Sequence, residues 1–204
     1  MDNHVEVHPL TAKDDLEKVY RLVHDTFVAQ KMARNHPSGQ LAQYPRYDLQ
    51  EDSVILLAYF KGVLAGTISF TPHQNSKEFY NGELFQPEIK ELYQAGDLAF
   101  SCWRLATQGS QRHQLILSLR LIQRCHEIAW RKGLTDCYFS FIKPHLNFYQ
   151  KIFPNSTILG PKRKTSNGIQ AELYFMKYVV EEACYQKIRS LADYLERQVD
   201  NRAS

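Results

Sequence analysis

The sequence predicts an α/β (α+β) protein, with a mixed and mostly antiparallel central sheet flanked by helices and an extra C-terminal helix. Three observations support this class. Two β-rich runs meet at a tight turn within 53–71, strand and helix patterns alternate from there to 180, and residues 181–204 place apolar side chains at helical spacing. No repeat and no low-complexity linker interrupts this order.

Length and composition favour a single globular domain. The chain has 204 residues, 44% hydrophobic and 12% aromatic, and a chain of this size buries well over half of its unfolded surface. No apolar run approaches the roughly 20 residues that cross a bilayer, and the acidic, polar start MDNHVEVHPL is unlike a signal peptide. The net charge of +3 is too small to favour nucleic-acid binding.

The cysteines and histidines exclude several further classes. Cys102, Cys125, Cys137 and Cys184 lack CxxC spacing and the density of a secreted framework, so they are interpreted as buried thiols in a reducing compartment. The predicted location is therefore the cytoplasm. The eight histidines form no HExxH motif or His/Cys cluster, so no metal site is expected, and a serine hydrolase would need a GxSxG elbow that is missing.

The chain begins with a strand, a helix and a loop. VEVHPL is a short first strand, and Thr11 with Asp14 resembles a capping box that opens a helix over 12–30. The prolines and glycine of 33–48 then predict a long loop, a kind of segment that is often functional.

The middle of the chain alternates between strands and helices. Lys61-Gly62 joins the two β-rich runs as a tight hairpin turn. A short helix over 86–94 and a strand over 98–107 follow, and the turn 108–114 leads into a long helix. Lys132-Gly133 ends that helix, with a basic last turn and a glycine C-cap.

The last third predicts a strand over 137–142, a short helix opened by Pro144, and two closing strands. Residues 1–180 therefore form one domain. Residues 181–204 form an amphipathic helix that packs on the domain, joins an oligomer or contacts a membrane surface. Packing on the domain is favoured because the polar face carries both charge signs.

The turn 108–114 has the parts of a phosphate site. Gly109 and Ser110 free the backbone, the helix N-terminus presents unpaired N–H groups, and Arg112 adds a positive charge. A plain helix cap is the alternative, because many turns in α/β proteins contain glycine and serine. Neither a P-loop nor a GxGxxG motif is present.

The order of hairpin, strand, glycine-bearing turn, long helix, strand and short aromatic helix resembles the GNAT acyltransferase superfamily. It is most similar to the branch of long-chain N-acyl amino acid synthases and acyl-homoserine-lactone synthases, which are autoinducer synthases. The resemblance is collinear over residues 17–178. The matching segments are YRLVHDTF (20–27), RYD (46–48), LAGTISFTP (64–72), ELFQPEIKELYQAG (83–96), WRLAT (103–107), PHLNFYQKI (144–152) and LGPKR (159–163).

The resemblance implies an acyltransferase without a tightly bound cofactor. Its co-substrate would be a fatty acyl thioester on acyl carrier protein (acyl-ACP) or coenzyme A (acyl-CoA), with the pantetheine arm along the strand at Leu105 and Thr107. A small amine acceptor attacks the thioester carbonyl, which requires a base, an oxyanion donor and an acid. The residues implied to hold the phosphate are Gly109, Ser110, Gln111, Arg112 and His113.

Two catalytic candidates follow from the segment 144–152. Tyr149 matches a tyrosine that often serves as the acid in the superfamily, and the alternative is that it only packs on the sheet. His145 matches a commonly polar position, where it acts as a base or orients pantetheine, and the alternative is a helix cap.

Arg104 and Asp48 match residues of the branch's charged acceptor pocket. A charge in an apolar strand needs a partner, so we expect the two to pair, either as part of the pocket or as a structural clasp. The chain departs from the branch at Val23, Ser69 and Ser101, where relatives usually have arginine, arginine and glutamate. Ser101 stays among the catalytic candidates, but these changes argue against homoserine-lactone synthesis and predict a less charged or larger acceptor.

The predicted function is N-acyl transfer of a long fatty acyl group from acyl-ACP or acyl-CoA to an amine. A short-chain acetyl-CoA-dependent acetyltransferase and an inactive acyl- or carrier-binding module are the alternatives. Arg112, Arg131-Lys132 and Lys162-Arg163-Lys164 either form a docking surface for an acidic carrier or are ordinary scattered charges. The aromatic residues predicted to line an acyl tunnel, or else to form the core, are Phe70, Phe100, Trp103, Phe139 and Phe141.

Overall fold

The computed structural model describes residues 4–11, 16–48, 50–73, 79, 81–94, 96, 98–165 and 168–200. Within them, seven strands and six α-helices follow the predicted order of elements. The strands are β1 (Val5–Pro9), β2 (Val54–Phe60), β3 (Val63–His73), β4 (Ala99–Thr107), β5 (Asp136–Ile142), β6 (Thr157–Lys164) and β7 (Ala171–Val179). The helices are α1 (Leu16–Ala29), α2 (Pro45–Asp48), α3 (Gln86–Leu92), α4 (Gln111–Arg131), α5 (Leu146–Ile152) and α6 (Glu182–Asp200).

Two predictions at the start of the chain have different outcomes. The capping box falls partly on residues 12–15, which lie outside the described residues, so α1 is described only from Leu16. The predicted loop over 33–48 contains a short helix, α2, that begins at Pro45. Proline suits the first position of a helix because its missing N–H would be unpaired there anyway.

The seven strands form one sheet in the order β1-β2-β3-β4-β5-β7-β6. All neighbours pair in antiparallel fashion except β4 and β5, which are parallel. The predicted hairpin joins β2 to β3, and its central residues Lys61 and Gly62 both have positive φ, 52° and 76°. This backbone belongs to the tight hairpin turns whose twist matches that of the strands they join.

Each face of the sheet has its own core. Alternate residues of β2 point to opposite faces, as the period of two requires. Leu56 and Ala58 pack with α4, α5 and α6 in the larger core, whereas Ile55 and Leu57 pack with α1 in the smaller one. The larger core contains Phe70, which has no exposed surface. The long helix α4 approaches the sheet closely over Gly66, where an added Cβ would lie 3.2 Å from Leu121.

The C-terminal helix α6 packs along α4. The Arg120 guanidinium of α4 reaches Asp193 at 2.7 Å and Glu196 at 2.5 Å on α6, and the fully buried Ile188 joins the larger core. Among the described residues, no helix is long and apolar enough to span a membrane.

The four cysteines are all free thiols. Cys125 and Cys137 are buried, as predicted. The prediction is wrong for Cys102 and Cys184, which are half-buried. Cys102 lines a cavity beside β5, and Cys184 lies on the first turn of α6, partly buried against the larger core.

Candidate active site

The central feature of the molecule is a wedge between β4 and β5. The two strands pair at three register positions, from Ala99↔Asp136 to Ser101↔Tyr138. Their outer edges are held along their lengths by β3 and β7. Beyond Ser101 and Tyr138 the two strands therefore diverge, and a cavity of ≈ 630 Å³ opens between them.

A bulge in β4 lies at the mouth of this wedge. Thr67 faces Ala106 and Ser69 faces Trp103, so two residues of β4, Arg104 and Leu105, stand opposite one residue of β3. Arg104 has φ 58°, in the left-handed region that a side chain makes costly. A bulge bends its strand and re-aims a side chain, and here it places Trp103 and Arg104 on the same face of the sheet.

The cavity has an apolar end and a polar end. The apolar end lies between β5, α4 and α5, in the larger core. Its lining residues include Leu115, Ile122, Phe139, Phe148, Phe153 and Tyr178. The polar end lies toward α1. Its polar lining residues include Gln30, Asn81, Arg104 and Ser140.

The predicted acyl-tunnel aromatics divide between cavity and core. Trp103, Phe139 and Phe141 line the cavity. Phe70 and Phe100 do not, because they stack on each other at 4.8 Å between ring centroids inside the larger core. For these two residues the core interpretation is the correct one.

His145 and Tyr149 both line the cavity, one helical turn apart. Lys143–His145 forms a 3₁₀ turn that begins the segment, and α5 follows, with 6.3 Å between the His145 and Tyr149 rings. His145 occupies the N-cap position of α5, but its side chain makes no cap hydrogen bond to the helix. Both side chains are thus directed at the same cavity, and their catalytic roles stay predictions.

Burial sets the protonation of these two groups. It raises the pKa of the Tyr149 hydroxyl above its ordinary value, and the nearby thiols of Cys102 and Cys137 act in the same direction. Burial lowers the pKa of the His145 imidazole. Near neutral pH the cavity wall therefore holds a protonated phenol and a neutral imidazole, which are respectively able to donate and to accept a proton.

Arg104 and Asp48 form the predicted ion pair. Nη2 of Arg104 donates to Oδ1 of Asp48 at 2.6 Å and Nη1 donates to Oδ2 at 3.0 Å, and the two side chains are 0% and 1% exposed. Tyr20 also donates to Asp48 at 2.8 Å. Burial, followed by the Asp48 carboxylate, raises the pKa of Tyr20 to about 12. The pair fastens α2 and α1 to the bulge of β4.

The remaining donors of Arg104 are also occupied. Nε and Nη2 donate to Ser69 Oγ at 3.1 and 2.8 Å, and Nη1 contacts the Ala42 carbonyl at 3.5 Å. Ser69, one of the departures from the branch, thus serves as an acceptor for Arg104. This geometry matches a structural clasp, because few donors of the guanidinium remain for a substrate.

Ser101 is not brought to the cavity. Its hydroxyl faces His73 at the end of the neighbouring strand β3, and its Oγ is 2.8 Å from His73 Nε2. Burial lowers the pKa of His73 to about 3, so the ring is neutral. Val23, another departure, is fully buried in the smaller core.

The N-terminus of α4 combines a helix cap with part of the cavity wall. Ser110 is the N-cap, and its Oγ accepts from the backbone N–H of His113 at 3.4 Å. Gly109, at φ 108°, makes the turn. Leu105, Thr107, Gln111 and Arg112 line the cavity, whereas Gly109, Ser110 and His113 do not.

Arg112 contacts the C-terminal helix. Its Nη2 donates to the Leu195 carbonyl of α6 at 3.1 Å, while its Nε has no hydrogen-bond partner among the described residues. The His113 ring lies 4.5 Å from Phe60, between ring centroids. Of the predicted phosphate residues, Arg112 is therefore the charged one at the cavity, and α6 holds it in place.

The predicted basic docking surface is wrong for Lys164, which is buried, and stays a prediction for its exposed members Arg131, Lys132 and Arg163. The segment Lys162–Lys164 lies within β6, where Lys162 pairs with Glu88 at 2.5 Å and Lys164 is fully buried. Lys132 pairs with Asp52 at 3.0 Å. Three consecutive basic letters predict a basic patch. In a strand, however, successive side chains point to opposite faces, so the three side chains of this run cannot all share one surface.

Two polar residues of the cavity were missed by the sequence prediction. Asn81 donates to Ser140 Oγ at 2.6 Å, and the ammonium of Lys164 donates to Asn81 Oδ1. A buried lysine within a short basic run gives no local signal, since its partners are far away in the chain. Among the described residues, no group of three or more histidine, cysteine or acidic side chains is arranged to hold a metal ion.

The family model of the N-acyl amino acid synthase FeeM matches residues 18–177 of the chain. The solved structure of FeeM, from uncultured soil microbes, has a TM-score of 0.71 at 16% identity and covers 94% of this chain and 98% of that chain. BjaI, a CoA-dependent acyl-homoserine lactone synthase, has a TM-score of 0.64 at 19% identity, covering 93% of this chain and 90% of that one. No curated protein sequence matches the chain.

More distant structures share the fold as well. An aminoglycoside 6'-acetyltransferase of type Ii has a TM-score of 0.55 at 14% identity and covers 86% of this chain and 97% of that chain. At these identities the structural likeness is evidence of fold alone. It confirms the predicted GNAT-like architecture.

Proposed function

The chain belongs to the FeeM N-acyl amino acid synthase family and is an acyltransferase, and from this premise we propose that it transfers a long fatty acyl group from acyl-ACP or acyl-CoA to an amine. BjaI is a CoA-dependent acyl-homoserine lactone synthase and FeeM an N-acyl amino acid synthase, so both kinds of relative form N-acyl products.

The observation that carries the long-chain proposal is the apolar end of the cavity. Ligand pockets of about 300–1,000 Å³ bury most of a small molecule, and this cavity of ≈ 630 Å³ falls in that range. Its apolar end is lined by residues of the larger core such as Ile122 and Phe153, an apolar space that an acetyl group would not fill. Burying a long chain there gains about 0.8 kcal/mol per CH₂ group.

The donor would enter beside β4 with its thioester near Tyr149. The backbone edge of β4 beyond Ser101 does not pair with β5, so its polar groups are open to a pantetheine amide. Leu105, Thr107 and Gln111 line that side of the cavity.

The proton balance assigns His145 and Tyr149 complementary roles. The amine reaches the site as an ammonium ion, and the neutral His145 imidazole accepts a proton so that the nitrogen lone pair can attack the thioester carbon. The C–N bond forms, the C–S bond breaks, and the thiolate leaves with a proton from the Tyr149 hydroxyl. Proton transfer from His145 to Tyr149 and loss of the second amine proton to water restore both groups.

A change at Ile122 tests the cavity as the acyl site. Ile122→Phe adds volume to the apolar end, so we expect the chain length with the highest kcat/KM to become shorter, while Ile122→Ala should shift it longer. The measurement follows thiol release from C2 to C18 thioesters of carrier protein and of coenzyme A, with and without an amine. An unchanged chain-length profile in both variants, or turnover of acetyl-CoA alone, would contradict the proposal.

A further inference from the structure

A buried lysine stands behind the polar end of the cavity. Lys164, at the end of β6, is 1% exposed, and its ammonium forms an ion pair with Glu83 at 2.7 Å. It also donates to the Tyr44 hydroxyl and to Asn81 Oδ1. Burying an ammonium ion is costly unless its hydrogens find acceptors, so this arrangement is held together by several contacts at once.

The lysine fixes the orientation of the Asn81 amide. An ammonium ion has donors and no lone pair, so the amide atom that faces Lys164 must be the oxygen. The amide nitrogen therefore faces Ser140 and donates to its Oγ at 2.6 Å. Because an amide nitrogen does not accept, the Ser140 hydroxyl hydrogen cannot return to Asn81.

Two hydrogens are consequently left without an acceptor among the described residues. One is the hydroxyl hydrogen of Ser140, and the other is the second amide hydrogen of Asn81; both residues line the cavity. Asn81 is the hydrogen-bond partner of Ser140 among the described residues. Asn81 has φ 60°, in the left-handed region that asparagine tolerates, so its backbone is held in a specific conformation.

The Asn81 and Ser140 donors lie on the polar side of the cavity, away from its acyl side. Ser140 points away from Phe139 and Phe141, its neighbours on β5, and both of those rings pack on Tyr149 on the acyl side. Arg104, the cation of the polar end, is already held by Asp48 and Ser69.

We propose that Asn81 and Ser140 form a two-donor subsite for an oxygen atom of the amine acceptor, and that Lys164 is the positioning residue that orients them. The inference rests on the proposed function, because it assigns a subsite to that reaction. The acceptor is then an amine with a carboxylate or carboxamide oxygen close to the nitrogen, bound by neutral donors instead of an arginine.

Matched acceptors test this subsite. Leucine, leucinamide and 3-methylbutylamine share a side chain, and only the third lacks the oxygen. With a long-chain thioester, we expect the acceptor KM of the wild-type protein to be at least about tenfold lower for the first two, as the loss of a hydrogen bond to a substrate oxygen implies. Ser140→Ala should remove most of this difference, and Ser140→Thr, which keeps the hydroxyl, should retain it.

Lys164→Met tests the positioning role. It should raise the acceptor KM for leucine and leucinamide, with little change for 3-methylbutylamine or in the KM of the thioester. Ser140→Ala keeps the test valid if the Lys164 variant fails to fold. Equal losses of kcat for all three acceptors, or wild-type KM values that do not distinguish them, would overturn the inference.

Direct binding separates this inference from the proposed function. Calorimetry with leucinamide and 3-methylbutylamine, without a donor, measures the subsite alone. Binding of leucinamide that Ser140→Ala weakens, in a protein that acylates no amine, would leave the subsite standing and remove the proposed function. Acylation of all three amines, with equal binding of leucinamide and 3-methylbutylamine, would support the proposed function and contradict the subsite.

Discussion

Tyr149 is fixed in the cavity wall by its aromatic neighbours. Its ring packs against Phe139 at 4.7 Å and Phe141 at 4.9 Å between centroids, and Phe148 and Phe153 lie on other sides. Such packing leaves the ring few alternative rotamers, so the hydroxyl is presented to the cavity in one direction. An acid that protonates a departing thiolate needs this kind of fixed position.

We therefore expect Tyr149→Phe to lower kcat by about 100-fold or more, because general acid catalysis typically contributes 10²–10⁴-fold. The thioester KM and the thermal stability should change little, since the ring and its packing remain. Tyr174→Phe is the matched control, because Tyr174 stacks on Phe141 without lining the cavity. Unchanged turnover of the Tyr149 variant would show that the hydroxyl is not the acid.

The buried ion pair shows what sequence predicts at the scale of one residue. Arg104 is a charge in an apolar strand, and this alone predicts a buried partner, which Asp48 is. The bulge, with its positive φ at Arg104, and the contact with Ser69 depend on how two distant strands align. The Lys164 cluster was missed for a similar reason, since Glu83 lies 81 positions earlier in the chain.

At the scale of elements, α6 is part of the folded core. Its stripe of apolar residues left three possible partners, the mixed charge of its polar face favoured packing on the domain, and Ile188 is completely buried against the domain. The ion pairs of Arg120 with Asp193 and Glu196 fix the register of α6 on α4, and the Leu195 carbonyl holds Arg112 near the cavity. The helix therefore stabilises the domain and also holds Arg112 at the cavity wall, beside the proposed entry of the acyl donor.

Ile188→Ala should lower the free energy of unfolding by about 2–5 kcal/mol, the usual cost of truncating a fully buried aliphatic side chain. Urea unfolding followed by circular dichroism measures the change. Arg189→Ala, one exposed position further along the helix, should change it by less than about 0.5 kcal/mol. Similar small effects of both substitutions would mean that α6 is not packed as described.

At the scale of the whole molecule, the alternation of patterns predicts the elements and their order well. Tight local signals, such as Lys61-Gly62 and Lys132-Gly133, are confirmed because they depend on backbone conformations of neighbouring residues. The wedge between β4 and β5 has no local signal. It arises from a parallel pair that stops after Ser101 while other strands hold both outer edges.

Two buried histidines should make folding stability depend on pH. Burial lowers the pKa of His73 to about 3 and of His126 to about 4, from an unfolded value near 6.5. The unfolded chain therefore binds protons that the folded chain does not. The free energy of unfolding therefore has its full value with respect to these two groups above pH 6.5. It falls as the pH falls, by about 2 kcal/mol for each histidine at pH 5.

Urea unfolding between pH 7.5 and pH 5 measures this loss. His73→Gln and His126→Gln should each reduce the pH dependence, whereas His8→Gln, at an exposed position, should leave it unchanged. A free energy of unfolding that stays constant over this range would contradict the buried, neutral state of both rings.

The most direct test of acyl transfer is the identity and amount of the product. The wild-type protein would be incubated with a C16 thioester of carrier protein or coenzyme A and an excess of amine, and thiol and amide would be measured together by absorbance and mass spectrometry. We expect one N-acyl amide for each thiol released, and a loss of both in Tyr149→Phe. Release of thiol with free fatty acid as the only acyl product, or binding of the thioester without turnover, would contradict the account.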